Sequence, residues 1–266
     1  MVSIIHGGNA GDLIYSLPAM RAASRLHDSK VHLYLQVDVP AQYGFNHPMG
    51  KVQMNLKMGQ MLVPLLMSTD FIGKCTITDE AVQTDYNFNL FRKFHNYTGH
   101  ISQWYFHIYP ELTCNLSEPI PFDITPIGNH QIILNRTARY HNPTFDYSII
   151  RRYQDKIKFV GLPDEYRVIS AKLPDIEHLK VNDFAELCGI IKGCELFVGN
   201  QSMAYAIAEV MKHPRVVEIC PTAHNVIPTG DNGYGAWTIM NLTQIIKQKY
   251  GWNSKGTPTQ TRIRVL

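Results

Sequence analysis

Apolar and polar positions fall into two rhythms along this chain. Residues 2–6 form a short apolar run, followed by GGNAGD and then by a segment with helical spacing; residues 30–37 (KVHLYLQV) form a second strand-like run. Strand, glycine-rich turn, helix and strand make a β-α-β opening, which favours a parallel sheet. Residues 38–58 read as loop. Residues 59–68 (GQMLVPLLMS) read as a helix kinked or started near Pro64, and 74–78 as a short strand. The three- and four-residue spacing of Phe88, Phe91, Phe94 and His95 predicts one helical face within the aromatic stretch 86–112.

The same rhythm restarts after 116–130, where Pro119, Pro121 and Pro126 mark a connection. Strands are predicted at 131–135, 156–160, 195–199 and 215–220. Helices are predicted at 183–194, with Asp183 as N-cap, at 202–212 and at 238–250. The expected organisation is an N-terminal half over 1–118, a linker over 119–130, a second half over 131–252 and a polar, basic tail over 253–266. Two such α/β halves suit a ligand held between the carboxyl ends of two sheets.

Composition narrows the class only a little. With 266 residues, 45% of them hydrophobic, the chain can bury a real core. No run of 18 apolar residues implies a membrane span, and the N-terminus has no signal-peptide pattern, so a cytoplasmic protein is expected. Five dispersed cysteines form no C-x-x-C pair and read as free thiols rather than a disulfide framework or zinc site. A net charge of +3 permits contact with phosphates without demanding nucleic acid.

The glycine-rich turn matches neither a dinucleotide fingerprint nor a phosphate-binding P-loop: its glycines are 7, 8 and 11, and no Gly-Lys-Ser/Thr follows. A dehydrogenase or epimerase therefore lacks its signature. Asp12 has two readings. It caps the first helix turn, where the dipole favours a carboxylate, or it is a general base at a cleft, with glycines leaving room for a substrate. Pro18 is tolerated if it falls in that helix's first turn.

The run Gly11-Asp12-Leu13-Ile14-Tyr15-Ser16-Leu17-Pro18-Ala19-Met20-Arg21 resembles the N-terminal motif of glycosyltransferase family 9, the ADP-heptose-using heptosyltransferases. LFVGNQSMAYAIAEVM sits where that family has its Asp-Thr-Gly-x-x-His-x-x-Ala donor motif, so the resemblance extends loosely over most of the chain. It implies a GT-B fold, two Rossmann-like half-domains facing across a cleft, with Asp12 as the base that deprotonates the acceptor hydroxyl. Asn200, Gln201, Ser202 and Tyr205 replace the family's Asp, Thr, Gly and His.

In the donor half, the start of the 202–212 helix offers free N–H groups to a diphosphate beside Asn200, Gln201 and Ser202. The resemblance also points to the loop carrying Arg136, Thr137 and Arg139, where a basic residue neutralises the leaving diphosphate. It points as well to the loop from Gly161 to Glu165, where a carboxylate holds the nucleoside. His95, His100 and Trp104 are candidate acceptor contacts, although core packing explains the same aromatic positions. Arg92 and Lys93 read as solvated surface, or as phosphate contacts in a transferase acting on DNA.

The expected activity is an inverting, metal-independent glycosyl transfer from a nucleotide-diphosphate sugar, without cofactor. The acceptor is a saccharide or a hydroxylated base in DNA. The alternative is a non-catalytic nucleotide or nucleotide-sugar binder on a degenerate transferase frame, favoured by the altered donor motif and opposed by the retained Gly11-Asp12.

Overall fold

A computed structural model describes residues 1–43, 50–93 and 99–251. Phe94, His95 and the tail 253–266 lie outside those residues.

Two parallel sheets carry the fold. The first contains β1 (Val2–His6), β2 (Val31–Gln36), β3 (Ile72–Thr78) and β4 (Tyr86–Asn87), in the order β3-β2-β1-β4. The second contains β5 (His130–Asn135), β6 (Ile157–Val160), β7 (Glu177–Leu179), β8 (Cys194–Asn200), β9 (Arg215–Glu218) and β10 (Gly233–Ala236), in the order β10-β9-β8-β5-β6-β7. Strand order reverses between β1 and β4 in one half and between β5 and β8 in the other. Loops leaving the carboxyl ends of strands at such switch points diverge and leave a crevice.

Helices α1 (Ala10–Leu26) and α2 (Leu56–Met67) belong to the first half, with the short α3 (Trp104–Ile108). α4 (Pro163–Ser170), α5 (Phe184–Lys192), α6 (Met203–Val210) and α7 (Ile239–Tyr250) serve the second. One hydrophobic core runs through both halves, joining Leu13, Ile14 and Leu17 of α1 to Ala204, Tyr205 and Ile207 of α6. α1 is enclosed on nearly every side, from Leu13 to Ala23. A helix apolar all round is one buried between layers, and here the layers are its own sheet and α6.

The segment 119–130 is an extended strap tied to both halves. The Ile120 amide donates to the Val210 carbonyl, Asp123 to Ser68 and Ile127 to Gly189.

Several local expectations are corrected. Pro18 lies in the middle of α1, not in its first turn; its ring removes one helical hydrogen bond, a loss outweighed by burial of the surrounding apolar residues. The spacing of Phe88 and Phe91 builds a 3-10 turn (Phe88–Arg92), not an α-helical face. α2 starts earlier than predicted, at Leu56, where the Asn55 side chain accepts the Met58 amide. The short edge strands β4 and β7, and β10 with its two glycines, carry no readable alternation. The loop expected after Gly161 continues as α4, with Pro163 at its first position. The cysteines are free thiols.

Candidate functional site

Both switch points open toward one crevice. At the first, the glycine-rich turn after β1 spends its own donors. The Gly7 amide donates to Asn89 Oδ1, Gly8 to His6 Nδ1 at 3.1 Å, and Asn9 to Asp12 Oδ2 at 3.0 Å. A phosphate cradle needs such amides unpaired, so these three backbone donors are unavailable to one.

Asp12 stands in the first turn of α1, where it caps the helix through the Asn9 amide and pairs with the Arg92 guanidinium. Both interactions fall on Oδ2. Among the described residues nothing hydrogen-bonds Oδ1. The capping and general-base readings are thus compatible, because each can use a different oxygen. Arg92, read from the sequence as surface, is brought to Asp12 by the 3-10 turn that follows β4. No periodicity encodes that contact, which joins positions 80 apart.

Behind Asp12 lies a buried chain of polar groups. His6 Nδ1 accepts from Gly8, so the ring proton sits on Nε2, which donates to Tyr105 Oη at 2.9 Å. Tyr105 in turn donates to the Asp12 carbonyl at 3.0 Å. Burial, reinforced by the Arg92 charge, holds the His6 imidazole neutral, with its pKa down to about 3. Burial likewise pushes the Tyr105 phenol well above its ordinary value.

At the second switch point the loop 136–142 is pinned from beneath. Asn200, wholly buried at the end of β8, accepts the Thr137 amide on Oδ1 at 2.9 Å. Its Nδ2 donates to the carbonyls of Thr137 (3.1 Å) and Arg139 (2.6 Å). Glu218, its neighbour on β9, is also buried and binds Arg136 Nε at 2.9 Å and the Tyr147 hydroxyl at 2.8 Å. Arg136 is therefore committed inside the half and is not the free cation expected from the sequence. Asn200 likewise faces the loop's backbone rather than the crevice. Arg139 is the cation of this loop that remains beside the crevice, with its guanidinium carbon 5.4 Å from the Tyr140 ring centroid.

α6 begins beside this loop. Ser202 caps it, accepting the Tyr205 amide at 3.1 Å and donating to Asn135 Oδ1 at 2.7 Å. Gln201 Nε2 donates to Asn225 Oδ1 at 2.9 Å, while its buried Oε1 has no partner among the described residues. α6 opens against the start of α1: a Cβ built on Gly11 would lie 3.9 Å from the Met203 Cα. Two positive helix ends thus meet where the halves pack together.

Gly161 has φ +153° and no room for a side chain, since an added Cβ would lie 2.8 Å from the Phe159 ring and 2.9 Å from Glu165 Oε2. Glu165 accepts the Leu162 amide at 2.9 Å, closing the first turn of α4. Burial raises its pKa against the pull of the Leu162 and Ala138 amides.

The proposed acceptor contacts fare differently. His100 is largely enclosed, its Nδ1 accepting the Ser102 amide and its ring edge-on to Tyr15 at 5.3 Å. Burial lowers its pKa to about 4. This places it in the packing between halves, not on an open surface. Trp104 is half-buried and stacks on Phe91 at 6.4 Å. His95 lies outside the described residues.

Parallel sheets facing through their switch points, with a carboxylate on one side and a pinned loop and helix end on the other, define the GT-B class of fold. Among solved structures the chain is similar to the glycosyl transferase family 9 protein from Veillonella parvula, at TM-score 0.61 and 12% identity, covering 92% of this chain and 88% of that one. It is also similar to the E. coli heptosyltransferase WaaC with ADP-2-deoxy-2-fluoro heptose, at TM-score 0.60 and 12% identity, covering 93% and 99%. The E. coli ADP-heptose lps heptosyltransferase II follows at TM-score 0.56 and 11% identity, covering 92% and 97%. No family model matches the chain, and no curated protein does. The resemblance drawn from the Gly11-Asp12 motif is thus found again in three dimensions, in the fold. Among the described residues no helix is long and apolar enough to cross a membrane.

Proposed function

We propose that this chain is a glycosyltransferase that moves a sugar from a nucleotide-diphosphate donor to an acceptor hydroxyl by a single displacement. The observation that carries the reading is the Asp12 carboxylate, fixed through Oδ2 and open at Oδ1, at the meeting point of the α1 and α6 N-termini.

Oδ1 takes the proton as the acceptor oxygen attacks the anomeric carbon. A new C–O bond forms there while the bond to the diphosphate breaks on the opposite face, which inverts the configuration. The leaving electron pair settles on the diphosphate, where Arg139 and the first amides of α6 offset its charge without a metal, while Thr137 and Ser202 spend their hydroxyl protons on holding the loop and the helix start. Gln201 Oε1 accepts a sugar hydroxyl. Gly161 and Glu165 border the nucleoside side, and Asn200 and Arg136 act from beneath by holding the loop. Trp104 belongs to the acceptor side, which takes a saccharide hydroxyl or a hydroxylated base in DNA.

Thermal-shift measurements with ADP-, UDP-, GDP- and CMP-sugars on the wild type and Asp12→Asn test this directly. Stabilisation of both proteins by one donor, with turnover only by the wild type, supports the reading. Turnover by Asp12→Asn at the wild-type rate removes the base, and absence of any shift removes the donor. Retardation of duplex DNA separates the two acceptor classes. A donor that binds the wild type without turnover on any acceptor selects the binding-protein alternative.

A further inference from the structure

Tyr140 is an exposed aromatic residue with a left-handed backbone, φ +47°. Such a conformation is costly for a bulky side chain and persists only where surrounding contacts enforce it. The enforcing group is Asn200. Its amide nitrogen reaches the carbonyls of Thr137, Arg139 and, at 3.3 Å, Tyr140, while its oxygen takes the Thr137 amide. An aspartate, which has no donor when ionised, cannot make those contacts. The Asn at 200 thus does a job its acidic counterpart could not do: it fixes the loop that presents Tyr140.

The Arg139 guanidinium lies over one face of the ring so presented, 5.4 Å from its centroid. On the first half, Tyr43 is seated by its hydroxyl, which accepts from the Asn9 side-chain amide at 2.8 Å and donates to the Val52 carbonyl at 3.3 Å. Tyr43 is thereby tied to the start of α1, whose Gly11 lies against Met203 of α6, three residues beyond the Asn200 that holds Tyr140. A sugar joined to the leaving diphosphate and attacked beside Asp12 must occupy the space these two residues border.

We infer that Tyr140, held by Asn200, forms with Tyr43 an aromatic clamp on the ring of the transferred sugar and sets sugar specificity. The inference rests on the transferase reading above. An aromatic face against the C–H face of a pyranose offers apolar contact without competing for the hydroxyls, and it distinguishes rings by which face is free of axial oxygens.

The test compares affinities for a nucleoside diphosphate with and without its sugar: ADP against ADP-heptose, UDP against UDP-glucose and GDP against GDP-mannose, using the pair that binds the wild type. Tyr140→Ala is expected to weaken binding of the sugar nucleotide about fivefold while leaving the bare diphosphate within about twofold. Tyr140→Phe should retain the wild-type ratio, because the ring face does the binding. Tyr140→Gly should lose the ratio yet melt no lower than the wild type, since glycine accepts this backbone conformation. Equal ratios in all four proteins overturn the clamp and leave the transferase reading standing. A parallel loss of both affinities assigns Tyr140 to the diphosphate instead and also overturns it. Failure of every nucleotide to bind the wild type overturns the transferase reading, and the clamp with it.

Discussion

Arg92 and Asp12 form an ion pair in which the guanidinium approaches the same carboxylate oxygen that the Asn9 amide already holds. Two donors on Oδ2 orient the carboxylate and leave Oδ1 without a hydrogen bond among the described residues. The carboxylate is mostly covered, at 14% exposure, whereas the arginine is 42% exposed. A pair this open contributes under about 1 kcal/mol to folding, so its consequence is orientation.

Replacing Arg92 by Ala should therefore leave the melting temperature nearly unchanged and lower kcat by roughly tenfold through loss of orientation. Steady-state kinetics beside a melting curve check this. A large fall in melting temperature with unchanged kcat would reverse the assignment.

Asp12→Asn should reduce kcat by roughly 10²–10⁴-fold, the range for loss of a general base, with donor affinity intact. Asp12→Ala should add a loss of about 1 kcal/mol in stability, because the cap to the Asn9 amide goes with it. Urea titration separates the two variants.

Asn200→Asp tests why the family-like acidic residue is absent here. A carboxylate facing the carbonyls of Thr137 and Arg139 leaves them without donors and is repelled by both. The expected cost is about 2–3 kcal/mol near neutrality. The deficit should narrow toward about pH 5, as the buried acid takes up a proton and regains one donor.

Stability should fall with pH for a separate reason. Burial keeps His6 neutral down to about pH 3, and His100 and His213 down to about 4. In the unfolded chain these rings take up protons near their ordinary value of about 6.5. Between those limits the unfolded state binds more protons, so unfolding becomes easier as pH drops from about 6.5 toward 4, by up to about 1.4 kcal/mol per unit for each histidine. Glu209 acts in the same direction. Burial pushes its carboxyl up, but Arg215 and Lys212 pull it below its usual value, and that stabilisation is lost on acidification. Denaturant titrations from pH 7 to 4 should show the slope, and His100→Gln should flatten it.

What the sequence determined by itself was whatever repeats within a few residues. Apolar runs located β1, β2, β5, β6, β8 and β9, the glycine-rich turn separated β1 from α1, and the motif around Gly11-Asp12 pointed to the GT-B frame. These signals are local because strand pleating and helix turns impose short periods. Tertiary structure decided which partner each charge has. Arg136 and Arg139 are three positions apart and look equivalent in the sequence, yet Arg136 is held by Glu218, 82 positions away, while the Arg139 guanidinium lies over the Tyr140 ring. Arg92 looks like surface until β4 pairs beside β1 and brings its turn to Asp12. Asn200 looks like a ligand contact until β5 and β8 close the backbone of residues 137–140 over it. Each outcome depends on which strands become neighbours, and strand order is a property of the whole chain that no short window of sequence carries.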